Sequence, residues 1–142
     1  MEVKRHANAN RDIILVGHEG HPEVEGTMGR HINKDNSSIY LVQDEQDAKN
    51  IEIKNTNNLA LVTQTTLSVD ETKSIIAILK TRFPLINIPK KDDICYATQN
   101  RQDAVKQLAL ESDFLIVVGS SNSSNSNRLK ELSEKCGCKS VL

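Results

Sequence analysis

A segment rich in histidine and glutamate, residues 17–26 (GHEGHPEVEG), is the first place where the sequence could perform chemistry. Imidazole and carboxylate groups can bind a metal, bind an anion or transfer protons, and glycines let the backbone approach a ligand. The spacing differs from the H-E-x-x-H zinc signature, because His18-Glu19 is followed at once by Gly20-His21. A polar loop before a helix that begins at Pro22 is the alternative interpretation.

A cluster of hydroxyl side chains, residues 63–68 (TQTTLS), lies between an apolar run and a helical pattern. Capping of the following helix explains Ser68 and Thr66. Capping does not explain Thr65, so we treat Thr65 as a candidate ligand contact.

A serine- and asparagine-rich loop, residues 119–127 (GSSNSSNSN), follows the most apolar run of the chain. Backbone N–H groups at a helix start, together with hydroxyls and amides, form a neutral anion site suited to phosphate. The segment matches neither the P-loop nor the dinucleotide-binding fingerprint. A solvated turn is the alternative.

Cys95 lies at the expected start of a helix, where the helix dipole stabilises a thiolate suited to a metal or cluster. A lone cysteine is more often a buried apolar residue. Cys136 and Cys138 form a C-x-C pair near a helix end, and we interpret both as incidental.

Short apolar runs alternate with helical patterns, which predicts an α/β fold with a mainly parallel sheet covered on both faces. The polar clusters above would then meet at the carboxyl ends of the strands, where such sheets bind ligands. The predicted strands are 12–17, 39–42, 59–64, 85–88 and 113–119. The predicted helices are 69–83, 97–110 and one that begins within 123–127 and ends at Gly137.

A polar break at residues 89–93 (PKKDD) suggests two units, 1–91 and 92–142. Residues 1–10 resemble the end of a helix, and residues 139–142 resemble the opening of a strand. We therefore expect the chain to be an incomplete piece of a larger protein.

The composition excludes several classes of partner. The formal net charge is −1, aromatic residues make up 3% of the 142 residues, and tryptophan is absent. These values argue against nucleic acid as a partner, and no apolar run is long enough to cross a membrane. Three cysteines suggest a reducing cytoplasm.

Four motifs together resemble the 4-hydroxy-3-methylbut-2-enyl diphosphate reductase family, also called LytB or IspH. They are GHEGHPEVEGTMG (17–29), TQTTLS (63–68), DDICYATQNRQ (92–102) and VGSSNSSNSNRL (118–129). The resemblance implies an iron–sulfur oxidoreductase of three similar α/β units in the non-mevalonate pathway. Reductive dehydroxylation of its small diphosphate substrate gives isopentenyl and dimethylallyl diphosphate, with electrons from a ferredoxin- or flavodoxin-type donor.

The resemblance also implies a role for individual residues. Cys95 matches one of three cysteines that hold a [4Fe–4S] cluster. Glu23 matches an acid that relays protons, and Thr65 matches a hydroxyl near the substrate alcohol. The residues that match contacts to the diphosphate are His21, Ser123, Ser124 and Asn125.

The motifs of the other two cluster cysteines are absent from the sequence. The family places them in segments upstream of Met1, with two further substrate-site histidines, and a serine beyond Leu142. We therefore expect no stable cluster and no turnover in the isolated chain. Three alternatives stay open: a non-catalytic truncated remnant, a phosphate-ligand binding module without redox chemistry, and a zinc hydrolase built on His18 and His21.

Overall fold

The computed structural model describes residues 2–31, 37–89 and 95–142, without the side chains of Glu2 and Lys4. The chain divides into two compact units. Unit 1 comprises Met1–Gln64 and Asp70–Asp93, and unit 2 comprises Thr65–Val69 and Ile94–Leu142. The predicted boundary between residues 91 and 92 lies outside the described residues and stays a prediction.

Unit 1 is a three-stranded parallel sheet with helices, as the alternating pattern predicted. Its strands pair in the order β2-β1-β3, with Ile13 opposite both Ile39 and Ala60. Every residue of β1 and β3 is buried, as expected for parallel strands covered on both faces. The elements are α1 (Glu2–Asn8), β1 (Asp12–Val16), α2 (Pro22–Gly29), β2 (Ile39–Val42), α3 (Glu45–Asn50), β3 (Leu59–Thr63) and α4 (Val69–Arg82), which belongs to unit 1 from Asp70 onward.

One hydrophobic cluster in the core of unit 1 joins the sheet to the first two helices. Ile13 and Leu15 of β1 pack with Val62 of β3, Val3 of α1 and Val24 of α2. Because α2 contributes Val24 to this core, the core also holds the helix that carries Glu23.

The prediction of a strand at 85–88 is wrong over most of its length. Asn87 alone forms a parallel bridge, to Ala60. The Ile86 N–H donates to the Phe83 carbonyl (3.0 Å), which closes a turn. Pro84 and Pro89 flank the segment and have no N–H to donate, so a longer ladder does not form among the described residues.

Unit 2 contains two long helices and a two-stranded parallel sheet. Its elements are α5 (Tyr96–Glu111), β4 (Phe114–Ile116), α6 (Ser124–Lys135) and β5 (Lys139–Val141). These confirm the helices predicted at 97–110 and from 123–127, and the strand opening predicted at 139–142. β4 is shorter than the predicted strand 113–119, because it pairs only with the three residues of β5.

One face of the β4–β5 sheet is apolar and exposed. Phe114, Ile116 and Val118 alternate along one side of the chain, with Val118 93% exposed. Val141 lies opposite Ile116 on the neighbouring strand and is also exposed. No helix in the described part of the chain is long and apolar enough to span a membrane.

A buried carboxylate joins the start of β1 to two loops. Asp12 is 3% exposed, and its oxygens accept from the Ser38 N–H (2.9 Å), the Tyr40 hydroxyl (3.3 Å) and the Asn55 N–H (3.3 Å). Three donors converge on this acceptor-only group. The buried carboxylate therefore has hydrogen-bond partners from β2 and from both loops.

We expect Asp12→Asn to lower the free energy of unfolding by about 1–3 kcal/mol, because an amide NH2 would then face a donor. Urea unfolding followed by circular dichroism measures this change. Asp113→Asn is the matched control, since exposed Asp113 directly precedes β4, and it should change stability by less than about 0.5 kcal/mol. Equal effects of the two substitutions would contradict the assignment.

Candidate functional site

In the segment after β1, residues 17–21, every backbone N–H group donates a hydrogen bond within unit 1. The five consecutive N–H groups from Gly17 to His21 each donate to an acceptor in unit 1. In chain order, the acceptors are Val42 O (3.0 Å), Gln64 Oε1 (3.0 Å), Gln43 Oε1 (2.9 Å), Glu25 Oε1 (3.3 Å) and His18 O (3.2 Å). The glycines of this segment had suggested that a ligand approaches the backbone. Because the backbone N–H groups are already used, side chains would have to bind an anion here.

Two glutamines that sequence reasoning missed hold this segment in place. Gln43 directly follows β2 and Gln64 directly follows β3, so the two amides flank the end of β1. Gln64 is 1% exposed. The signal was present in the sequence, because a glutamine follows each of the two strands that border β1.

Gly17 has a steric reason to be glycine. A Cβ at this position would lie 2.6 Å from Val24 Cγ2 and 3.1 Å from Gln64 Oε1. Because Gln64 is buried and Val24 belongs to the core, neither side chain can retreat easily. The close approach of the Gly17 backbone to the Gln64 amide therefore depends on the missing side chain.

His21 is the N-cap of α2. Its Nδ1 accepts a hydrogen bond from the Glu23 N–H (3.2 Å), and Pro22 occupies the first helical position, as in the alternative interpretation of this segment. Because Nδ1 is the acceptor, the neutral ring carries its proton on Nε2. Nε2–H is then the group that His21 can offer to an anion, while Glu23 lies half-buried in the first turn of α2.

Metal-ligand geometry does not favour the zinc alternative. In the ranges 2–31, 37–89 and 95–142, no three or more His, Cys, Asp or Glu side chains are grouped so that they could hold a metal ion. His18 and His21 therefore have no third ligand among the described residues.

In unit 2, the Thr65–Val69 segment lies against the starts of both helices. The Cys95 N–H donates to the Thr65 carbonyl (3.4 Å) at the start of α5. The hydroxyls of Thr66 and Ser124 are hydrogen-bonded (3.0 Å) at the start of α6. Three motifs that are far apart in the sequence are thereby brought together within one unit.

The same segment is held by a residue further along α5. Gln102 accepts from the Val69 N–H (3.1 Å) and donates to the Leu67 carbonyl (2.8 Å). Sequence reasoning did not single out Gln102, because its partners lie 33 and 35 residues away.

Of the three cysteines, Cys95 has the environment of a metal or cluster ligand. It is exposed at the N-cap of α5, and its thiol makes no capping hydrogen bond. Cys138 is buried and its thiol donates to the Lys139 carbonyl (3.5 Å), while Cys136 is half-buried at the C-cap of α6. The residues present therefore fit one ligand of an iron–sulfur cluster and not a complete set.

The N-terminus of α6 leaves donors available. Ser123 caps the helix through its Oγ, which accepts from the Ser126 N–H (3.3 Å). The N–H groups of Ser124 and Asn125 have no acceptor among the described residues, which is usual for the first helical turn. Asn125 Oδ1 is also buried without a partner there. Unlike the segment after β1, this helix start has unused polar groups that could bind an anion.

Gly119 allows the loop before α6 to close. A Cβ on Gly119 would overlap Ser126 Oγ and lie 2.7 Å from Ser126 Cβ. Since Ser126 is buried in the first turn of α6, a side chain at Gly119 would displace the helix start.

Comparison with known proteins agrees with the four motifs. The sequence profile of the family described as LytB protein matches residues 1–142. The chain belongs to the LytB protein family. Its fold class, a parallel-sheet α/β fold, is confirmed by its own strands and helices and by a similar solved structure, described next.

Named relatives match the whole chain. The 4-hydroxy-3-methylbut-2-enyl diphosphate reductase of Ectopseudomonas mendocina is 60% identical over 142 residues, 100% of this chain and 45% of the relative. That of Saccharophagus degradans is 58% identical over 142 residues, 100% of this chain and 46% of the relative. The solved E-1-hydroxy-2-methyl-but-2-enyl-4-diphosphate reductase of Plasmodium falciparum superposes with a TM-score of 0.86 at 38% identity, covering 99% of this chain and 43% of that one. The chain thus spans less than half the length of these LytB relatives.

We expect Gly119→Ala to lower the free energy of unfolding by about 1–3 kcal/mol, because the added methyl group overlaps Ser126. Thermal unfolding with inorganic diphosphate present and absent measures stability and ligand stabilisation together. Gly26→Ala is the control: a Cβ there meets no atom within 4 Å, and alanine favours the helix by about 0.5–1 kcal/mol. A neutral Gly119→Ala would show that the loop has room for a side chain.

Proposed function

We propose that this chain is part of a reductase that converts 4-hydroxy-3-methylbut-2-enyl diphosphate into isopentenyl and dimethylallyl diphosphate. The observation that carries the proposal is the arrangement in unit 2. The Thr65–Val69 segment is hydrogen-bonded there to the backbone N–H of Cys95, whose thiol is exposed, and to Ser124 at a helix start with unused donors. The names of the relatives, whose sequences match every residue of the chain, support the same reaction.

The diphosphate would bind at the start of α6. The N–H groups of Ser124 and Asn125 and the positive end of the helix dipole favour an anion there. The hydroxyls of Ser123 and Ser124 and the Asn125 amide add polar contacts. His21 would donate Nε2–H to a phosphate oxygen, because its Nδ1 is held by the Glu23 N–H.

Glu23 and Thr65 would act on the alcohol end of the substrate. The reaction breaks one C–O bond, consumes two electrons and two protons, and releases the oxygen as water. Glu23 would deliver a proton from its carboxyl group. The Thr65 hydroxyl would hydrogen-bond the substrate alcohol and orient it.

Cys95 would hold one iron of a [4Fe–4S] cluster, since its exposed thiol at a helix N-terminus favours the thiolate. When bound, the cluster supplies the electrons of the reduction. The two remaining cysteine ligands are proposed to come from residues outside these 142, because Cys136 and Cys138 occupy other environments.

The remaining assignments follow from the same proposal. The electrons would reach the cluster from a ferredoxin- or flavodoxin-type donor in the cytoplasm. The stretches 1–91 and 92–142 would correspond to one nearly complete α/β unit and the first part of a second one.

A phosphate-ligand binding module without redox chemistry is the second candidate. It is favoured by one observation, namely that the donors of α6 are independent of the Cys95 thiol. Iron binding that depends on Cys95 distinguishes the two candidates, because the binding module needs none.

We expect anaerobic iron–sulfide reconstitution to give about four irons per molecule in the full-length protein, and far fewer after Cys95→Ser. Iron content and visible absorption provide the measurement, with Cys138→Ser as the control that keeps the cluster. The isolated 142-residue chain should retain little iron. About four irons on the isolated chain, lost in Cys95→Ser, would show that Cys136 or Cys138 is a ligand.

We expect Asn125→Ala to weaken binding of inorganic diphosphate about tenfold, which corresponds to about 1.4 kcal/mol, because it removes the amide beside the start of α6. Isothermal titration calorimetry on the full-length protein measures the affinity. Asn122→Ala is the matched control in the same loop, since Asn122 is exposed and precedes the helix cap. Equal affinities of the two variants would place the anion elsewhere.

A further inference from the structure

We propose that Gln102 is a positioning residue that sets the place of Thr65 relative to Cys95. This inference rests on the proposed function, which assigns Thr65 to the substrate alcohol and Cys95 to the cluster. Gln102 forms its hydrogen bonds with Leu67 and Val69, so it would act on Thr65 through the backbone of the segment.

The side-chain amide of Gln102 forms both of its hydrogen bonds with the backbone of Leu67 and Val69. Gln102 is 1% exposed. Its Oε1 accepts from the Val69 N–H at 3.1 Å and its Nε2 donates to the Leu67 carbonyl at 2.8 Å. A buried amide that bonds a donor and an acceptor two residues apart fixes both the position and the direction of that stretch.

Gln102 and Cys95 lie on the same side of α5. They are seven residues apart, which is close to two helical turns. The Thr65–Val69 segment follows this side of the helix, with the Thr65 carbonyl at the Cys95 N–H and Leu67 and Val69 at Gln102. One helix therefore carries the candidate cluster ligand and the residue that holds the candidate substrate contact.

Hydrogen-bond lengths indicate that Gln102 holds the Thr65–Val69 segment more firmly than the Cys95 N–H does. The Cys95 N–H to Thr65 carbonyl distance is 3.4 Å, at the long end for such a bond. The two bonds of Gln102 are shorter and buried. Without them, the Leu67 carbonyl and the Val69 N–H would lose their Gln102 partner, while the Thr66–Ser124 bond would still join the segment to α6.

Other side chains do not reproduce this arrangement. Methionine has a similar length but no hydrogen-bonding amide, so it would leave the Val69 N–H and the Leu67 carbonyl unpaired. An ionised glutamate keeps an acceptor for Val69 but places a negative oxygen against the Leu67 carbonyl. A small displacement of Thr65 is sufficient to slow the reaction, because a misplacement of about 1 Å can cost about a hundredfold in rate.

The predicted signature is a split between turnover and ligand binding. Gln102→Met should lower kcat at least tenfold, since Thr65 would no longer be held beside Cys95. The affinity for inorganic diphosphate should change less than about twofold, because the Ser124 and Asn125 N–H groups belong to the backbone of α6 and not to the segment that Gln102 binds. A residue that only stabilised the fold would lower both together.

The experiment compares Gln102→Met, Gln102→Glu and the control Gln107→Met in the full-length holoenzyme. Gln107 lies on the same helix and is exposed. Hydrogen exchange, measured by mass spectrometry on a peptide that contains Val69, reports how often the hydrogen bonds of the Thr65–Val69 segment open. This measurement does not depend on turnover. We expect exchange in this peptide to rise about tenfold in Gln102→Met and to stay unchanged in Gln107→Met.

The outcomes separate this inference from the proposed function. Unchanged exchange at Val69 in Gln102→Met, or a parallel loss of kcat and diphosphate affinity, overturns the positioning role and leaves the reductase assignment intact. An unsubstituted holoenzyme without reductase activity, combined with faster exchange at Val69 in Gln102→Met, would overturn the reductase assignment instead. If Gln102→Met does not fold, Gln102→Glu takes its place, and the split between kcat and diphosphate affinity decides, because glutamate keeps an acceptor for the Val69 N–H.

Discussion

Buried glutamine amides hold the loops on which the candidate site depends. Gln64 in unit 1 accepts from the backbone of the segment after β1. Gln102 in unit 2 binds the backbone of the Thr65–Val69 segment through both ends of its amide. A loop of irregular backbone leaves polar groups that no helix or sheet ladder pairs, and a buried side-chain amide can supply the missing partner. The side chains proposed to act on the substrate are therefore placed by residues that have no proposed contact with it.

The distribution of backbone donors separates two kinds of loop. From Gly17 to His21 every N–H group is used inside unit 1, so this segment is a scaffold for the side chains of His21 and Glu23. At the start of α6 the first N–H groups lack acceptors in the part of the chain that the structure describes. This difference explains why we place the diphosphate at α6, although glycines are more frequent in the first segment.

The two sheets differ in how far their apolar residues are buried. All five residues of β1 are buried, because β2, β3 and the helices surround that strand. In β4, Phe114 and Ile116 are exposed on one face of the two-stranded sheet. The strongly apolar run 113–119 predicted a buried strand, and residues packed around a strand decide its burial more than its own composition does.

The sequence by itself determined the features that depend on near neighbours. The helix start within 123–127 and the alternation of strands and helices follow from caps and periodicity within a few residues. The start of α2 at Pro22 was the alternative interpretation of its segment. The four motifs also identified the family. Tertiary structure alone decided the roles of Gln43, Gln64 and Gln102, whose partners lie between 24 and 46 residues away. A glutamine has the same local pattern whether it faces solvent or binds a distant loop, so only the folded chain shows which loop it holds.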